Sequence, residues 1–195
     1  EVIWISYPGS SAFPSFSKLE RKTEAEAASF QLLSFKPWGK DRISGYYQGH
    51  KLVGSDPKSF RAINEELAAD DRRVWNGTTI IEEADGASFQ LVSNRYGVDK
   101  AAAYVGWTRF VPCDLSTFAP LDSEMETFAA DSKCVYVNSF TIPLQDRKSF
   151  EMIGAGYSKD RLGVYWMHFP VTGADVASFR VPAGKQVGQD KSGCW

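Results

Sequence analysis

Between Trp38 and Val181 the large apolar residues return in a fixed order. One set is Trp38, Leu67, Tyr96, Phe128 and Tyr157, and a second is Tyr46, Trp75, Tyr104, Tyr136 and Tyr165. A third is Leu52, Ile81, Phe110, Ile142 and Val171. Between the second and third sets sit Gln48-Gly49, Asn76-Gly77 and Gly106, residue types that tolerate positive φ and so suit hairpin turns. Short apolar runs broken by such turns predict short antiparallel strands.

The polar positions recur with them. Asp41, Asp70, Asp99, Asp131 and Asp160 are each followed fifteen residues later by a second Asp, at 56, 85, 114, 146 and 175. Four residues after each second Asp comes Phe60, Phe89, Phe118, Phe150 or Phe179, preceded by Ser59, Ser88, Thr117, Ser149 or Ser178. The units are spaced by 29, 29, 32 and 29 residues, and the one irregularity falls in the Ala119 to Ala130 connection. A period of this length marks a tandem array. Asp at the start of D-x-x-[ST]-F suits an N-cap, and Pro57 after Asp56 suits a first helical position. Each unit is therefore expected to hold two or three strands and to end in one helical turn whose Phe plugs the core. The expected fold is all-β, mainly antiparallel: five hairpin or meander units over 36–181, a 1–35 segment with a strand, a helix and a half copy (Glu26 to Phe30), and a 182–195 tail. Thr23 with Glu26 reads as a capping box, and Ala25, Ala27 and Ala28 are strong helix formers, so Glu24 to Leu33 is expected to be the longest helix. A strand there would show the half-copy reading to be wrong.

Charge and chemistry change this picture little. Twenty-four acids against 22 bases leave no basic field for nucleic acid, and no apolar run is long enough to span a membrane. The chain opens at Glu1 with no charged-then-apolar leader, which fits a processed secretory protein or a trimmed chain. Cys113, Cys134 and Cys194 lack metal-ligand spacing; in an oxidising compartment Cys113 with Cys134 is the first choice for a disulfide. The Asp series is not read as a calcium ladder, because calcium loops need several oxygens within about a dozen residues. His50 and His168 lie beside hairpin turns, away from any nucleophile signature, and no nucleotide-binding or zinc-protease motif occurs. No catalytic residue, metal or cofactor is assigned, and the chain is not expected to be an enzyme.

Lys40-Asp41-Arg42 with Tyr46-Tyr47-Gln48-Gly49, Asp99-Lys100 with Tyr104-Val105-Gly106, and Lys159-Asp160-Arg161 with Val164-Tyr165-Trp166 together resemble the DKNYY-repeat family. So does Ala174-Asp175-Val176-Ala177-Ser178-Phe179. Departures from the pattern are Cys113-Asp114 and Gln145-Asp146 in place of Ala-Asp, and Val137-Asn138 in place of the Gly-bearing turn. The family is found mostly in bacteria and has members encoded beside secreted toxins as immunity proteins. The resemblance implies an immunity protein that neutralises a cognate toxin or effector, in the periplasm; that setting suggests a lipase or phospholipase effector.

Repeat arrays act through an extended surface, and copies that break their own consensus show where it has specialised. The hairpin tips differ most: Trp107-Thr108-Arg109 in the third copy, Ser139-Phe140 in the fourth, and Trp166 with Met167-His168-Phe169 in the fifth. Trp107, Arg109, Phe140, Trp166, Met167, His168 and Phe169 are the candidate partner-binding residues, since aromatics and Arg dominate binding hot spots. A carbohydrate or cell-wall module is the alternative, with Trp107, Trp166 and Tyr47 stacking on sugar rings. Evenly spaced coplanar aromatics along a groove would favour sugar, and one clustered apolar patch with Arg nearby would favour a protein.

Overall fold

The computed structural model describes residues 3–6, 19–121 and 127–195. It is all-β and antiparallel, with five four-stranded sheets and a two-stranded sheet toward each end. The strands of each four-stranded sheet follow one another in chain order, as meanders. The first runs through Gln31–Leu32, Trp38–Lys40, Gly45–Tyr47 and His50–Leu52; the fifth through Glu151–Gly154, Tyr157–Lys159, Val164–Trp166 and Phe169–Pro170. Near the N-terminus Ile3–Ser6 pairs with Leu19–Lys22. The chain divides into two compact units, residues 1–90 with 98–101, and residues 91–97 with 102–195. The longer spacing between the third and fourth copies includes 122–126, which lie outside the described residues.

Each of the five meanders has four strands where two or three were expected, because the strand after the Phe of one unit opens the next meander. Arg61–Ala62, Gln90–Leu91 and Ala119–Pro120 span two residues each, too few for an alternating pattern to register. The D-x-x-[ST]-F turn therefore begins a unit. It is a 3-10 helix at Leu115–Thr117 and Arg147–Ser149 and a plain turn in the other three copies.

Glu24 to Leu33 is not a helix. Glu26 donates its N–H to Asp41 Oδ2 at 2.9 Å, its side chain accepts from Ser29 Oγ, and Gln31–Leu32 pairs with Lys40 and Gly39. A strand does lie there, against the expectation that a strand would overturn the half copy; that criterion is corrected, because the turn is that of every other unit with Glu in place of Asp and a strand follows the Phe in those units too. Alanine propensity contributes only tenths of a kcal/mol per residue, and a helix this short is marginal alone. Tertiary pairing outweighs it.

One device recurs six times. The first Asp of a unit accepts the N–H groups two and three residues on with Oδ1, and with Oδ2 the N–H of the turn acid before it. Asp131 illustrates it, accepting from Lys133, Cys134 and Asp114 at 2.8, 2.6 and 2.9 Å. The turn acids Glu26, Asp56, Asp85, Asp114, Asp146 and Asp175 donate in this way to Asp41, Asp70, Asp99, Asp131, Asp160 and Asp190. Asp190 brings residues 182–195 into the pattern: Ser192 and Gly193 donate to it, and Lys191 bonds Ser178 and Asp175 as Lys100 bonds Ser88 and Asp85.

The first and second apolar sets are buried throughout; of the third, Leu52, Ile81 and Ile142 are buried and Phe110 and Val171 half-buried. Phe60 lies edge-on between Trp38 and Trp75, and Phe118 between Tyr96 and Tyr136. Phe89 and Phe179 are buried too. Phe150, expected to be buried, is half-buried, because Leu144 and Met167 share with it the cluster around Phe128, Val135 and Ile142. The plug needs a small residue two places before the first Asp: a Cβ on Gly39 would lie 2.6 Å from Phe30 Cζ, and one on Gly188 would strike Phe179.

Candidate functional site

The hairpin tips are two-residue turns between the third and fourth strands of each sheet. Gln48 and Gly49, and Gly106 and Trp107, take positive φ at both positions, as a type I′ turn requires. In the second copy the turn is Gly77-Thr78, with Asn76 in the strand before it. The first tip position takes positive φ in every copy, supplied by Gln48, Gly77, Gly106, Asn138 and Met167 in turn. Gln48 at φ 49°, Trp107 at φ 66° and Met167 at φ 53° are neither Gly nor Asn, and left-handed backbone costs such residues about 1–2 kcal/mol. Of the three, Trp107 and Met167 were singled out from the sequence.

Three of the predicted residues form one cluster. The Phe140 and His168 rings stack at 4.4 Å and 14°, and His168 contacts Phe169 at 4.0 Å. Phe140 follows the tip of the fourth sheet and pairs with Val137; Phe169 follows the tip of the fifth and pairs with Trp166. Strand alternation turns Tyr165 into the core and Trp166 outward. Phe140, Phe169 and Trp166 remain 54%, 55% and 47% exposed. Met167 is half-buried, its side chain packed on the core below. Trp107, half-buried, and Arg109, exposed, sit at the tip of the third sheet, where Arg109 pairs with Tyr104. Tyr47 is half-buried, its ring tilted by 53° against Trp38 at 4.6 Å, so only part of it is open to a sugar.

Arg95 was not singled out from the sequence. Its Nη2 donates to Asn138 Oδ1 at 3.0 Å, which sets a guanidinium beside the Phe140 tip. No sequence spacing points to it, since the two residues are brought together only by the packing of neighbouring sheets.

Several of the recurring acids are held below the ordinary carboxyl value. Burial pushes the Asp131 carboxyl up, but the Tyr136 hydroxyl and the N–H groups of Lys133, Asp114 and Cys134 outweigh it and hold it below the ordinary value. Asp41 and Asp160 are lowered against burial in the same way. Burial and the adjacent carboxylate push the Tyr46, Tyr136 and Tyr165 phenols up. On the surface, Lys100 and Ser88 draw Asp85 down to about 2, and Lys191 and Ser178 do the same to Asp175. A general acid at neutral pH needs a shift in the opposite direction. Among the described residues no group of three His, Cys, Asp or Glu side chains is placed to hold a metal ion. Cys113 and Cys134 form a disulfide, the pairing preferred from the sequence, and Cys194 is free and exposed.

The sequence model of the DKNYY family matches residues 68–195, more than half of the chain. No curated protein and no solved structure matches it.

Proposed function

The chain belongs to the DKNYY family, and from that premise we propose that it is a non-catalytic protein-binding repeat protein: an immunity protein that neutralises a cognate secreted toxin in the bacterial periplasm. The observation that carries the binding part is the exposed Phe140, His168 and Phe169 cluster with Arg95 beside it. Clustered aromatics next to a guanidinium are what protein hot spots use. The periplasmic setting is supported by the Cys113–Cys134 disulfide, a bond that persists in oxidising compartments. The toxin part rests on the family association, and a lipase or phospholipase is the target class that setting suggests.

The test is a calorimetric titration against the product of the neighbouring gene. Tight binding is expected, and replacing Phe140 and Phe169, or Trp107 and Arg109, with Ala should weaken it by at least about 2 kcal/mol with little change in Tm. Absence of binding, together with polysaccharide binding that protects Trp107 and Trp166, would replace this reading by the carbohydrate one.

A further inference from the structure

We propose that a recess beside the aromatic cluster is a specificity pocket that takes one large apolar side chain from the partner protein. This rests on the protein-binding reading above and adds what the partner must present. The recess has a volume of about 360 Å³ and is lined chiefly by Phe128, Met152, Ile153, Gly156 and Met167. That volume is at the small end of the roughly 300–1,000 Å³ typical of ligand sites.

The recess exists because two features of the repeat fail together. In three other copies the ring at the position of Phe128 ends in a polar atom that bonds backbone further along the chain. Trp38 Nε1 donates to Asn64 O at 2.8 Å, Tyr96 Oη to Thr127 O at 2.9 Å, and Tyr157 Oη to Trp195 O at 2.8 Å. Phe128 has no such atom. Facing it, the fifth copy carries Gly154-Ala155-Gly156, all at positive φ, where Asn64 and Ser93 cap backbone N–H groups in the second and third copies. A Cβ on Gly154 would meet nothing within 4 Å. Bare backbone and a tipless ring leave the space open.

The surroundings say what fills it. On one side, a Cβ on Gly156 would lie 3.0 Å from Met167 Sδ and 3.5 Å from Trp166 Nε1, and Met167 adjoins His168 of the cluster. On the other, Thr127 at the rim accepts the Asn138 N–H, and Asn138 accepts from Arg95. Apolar recess, aromatic cluster and guanidinium are thus continuous. Met walls adapt to irregular apolar shapes, and the recess runs into the exposed aromatic cluster that carries the protein-binding reading. The occupant is therefore a Phe, Leu or Met side chain on a protein segment.

The three methionines, Met125, Met152 and Met167, make methyl-labelled Met NMR of the full chain a direct readout. N-acetyl-phenylalaninamide or N-acetyl-leucinamide should shift the Met152 and Met167 signals saturably, and N-acetyl-glycinamide should not. Met152→Lys, which places a charge at the mouth, should weaken the effect at Met167 about tenfold or more, while Met152→Leu preserves it. Lack of saturable shifts with either apolar amide overturns the proposal, and so does saturation by octanoate alone, which assigns the recess to an acyl chain. If the amides bind but the neighbouring gene product does not, the pocket stands and the immunity reading falls. If that product binds Met152→Lys as tightly as the unaltered chain, the pocket inference falls and the reading stands.

Discussion

At the scale of residues, Asp131 shows what holds a unit together. Three backbone N–H groups and the Tyr136 hydroxyl converge on its buried carboxylate. Asp131→Asn places an amide donor against those donors, and the expected loss is about 2 kcal/mol or more in denaturant unfolding. Asp114→Asn, at the turn, should lower the denaturant midpoint less than Asp131→Asn does. The two Asp series look alike in sequence, and the contrast between them comes from burial. The same logic separates the Phe plugs. Phe60→Ala should cost about 3–5 kcal/mol, with a change below about 1 kcal/mol refuting the plug role, whereas half-buried Phe150→Ala should cost clearly less.

At the scale of elements, the Cys113–Cys134 disulfide ties the turn that opens the fourth unit to the residue just before the strand Val135–Val137. It closes a loop of 21 residues, for which chain entropy gives a stabilisation of about 3 kcal/mol. Reductant is expected to lower Tm in the unaltered chain and to leave a Cys113→Ala/Cys134→Ala variant unmoved; equal Tm values would show the bond to be dispensable. The strands were legible from their apolar sets, but the boundaries of a unit were not. A first strand of two residues has no period to read, and the failed helix at Glu24 to Leu33 had the right propensities and the wrong partners. Asp41 and Gly39, remote in sequence, decide that segment.

At the scale of the whole molecule, the depressed carboxyls of Asp41, Asp131, Asp160 and Asp190 set the response to acid. Their folded values lie below the unfolded Asp value of about 3.9, so near pH 7 both states are ionised and the stabilisation is fully present. As pH falls through the unfolded value, the unfolded chain binds protons first and stability is lost until the folded groups protonate as well. Urea midpoints should therefore hold steady down to about pH 5 and fall steeply below it, and the fall should be shallower in Asp131→Asn. A flat profile down to about pH 3 would remove these carboxylates from the account.

The sequence by itself determined the repeat, its all-β character, the buried apolar sets and the family, because each is written as recurring residue types at a near-constant spacing; for the disulfide it offered Cys113 with Cys134 only as a first choice, and the structure decided the pairing. Tertiary structure decided what a spacing does not carry. The four-stranded meander depends on which short segments pair, and the role of Glu26 and of Asp190 depends on a carboxylate or an N–H placed fifteen residues away. The cluster of Phe140, His168 and Phe169 arises where the tips of two successive sheets meet, and Arg95 joins it across 43 residues of chain. A tip that breaks its consensus is visible in one dimension; which tips touch, and what space a missing hydroxyl leaves open, are settled only when the sheets pack.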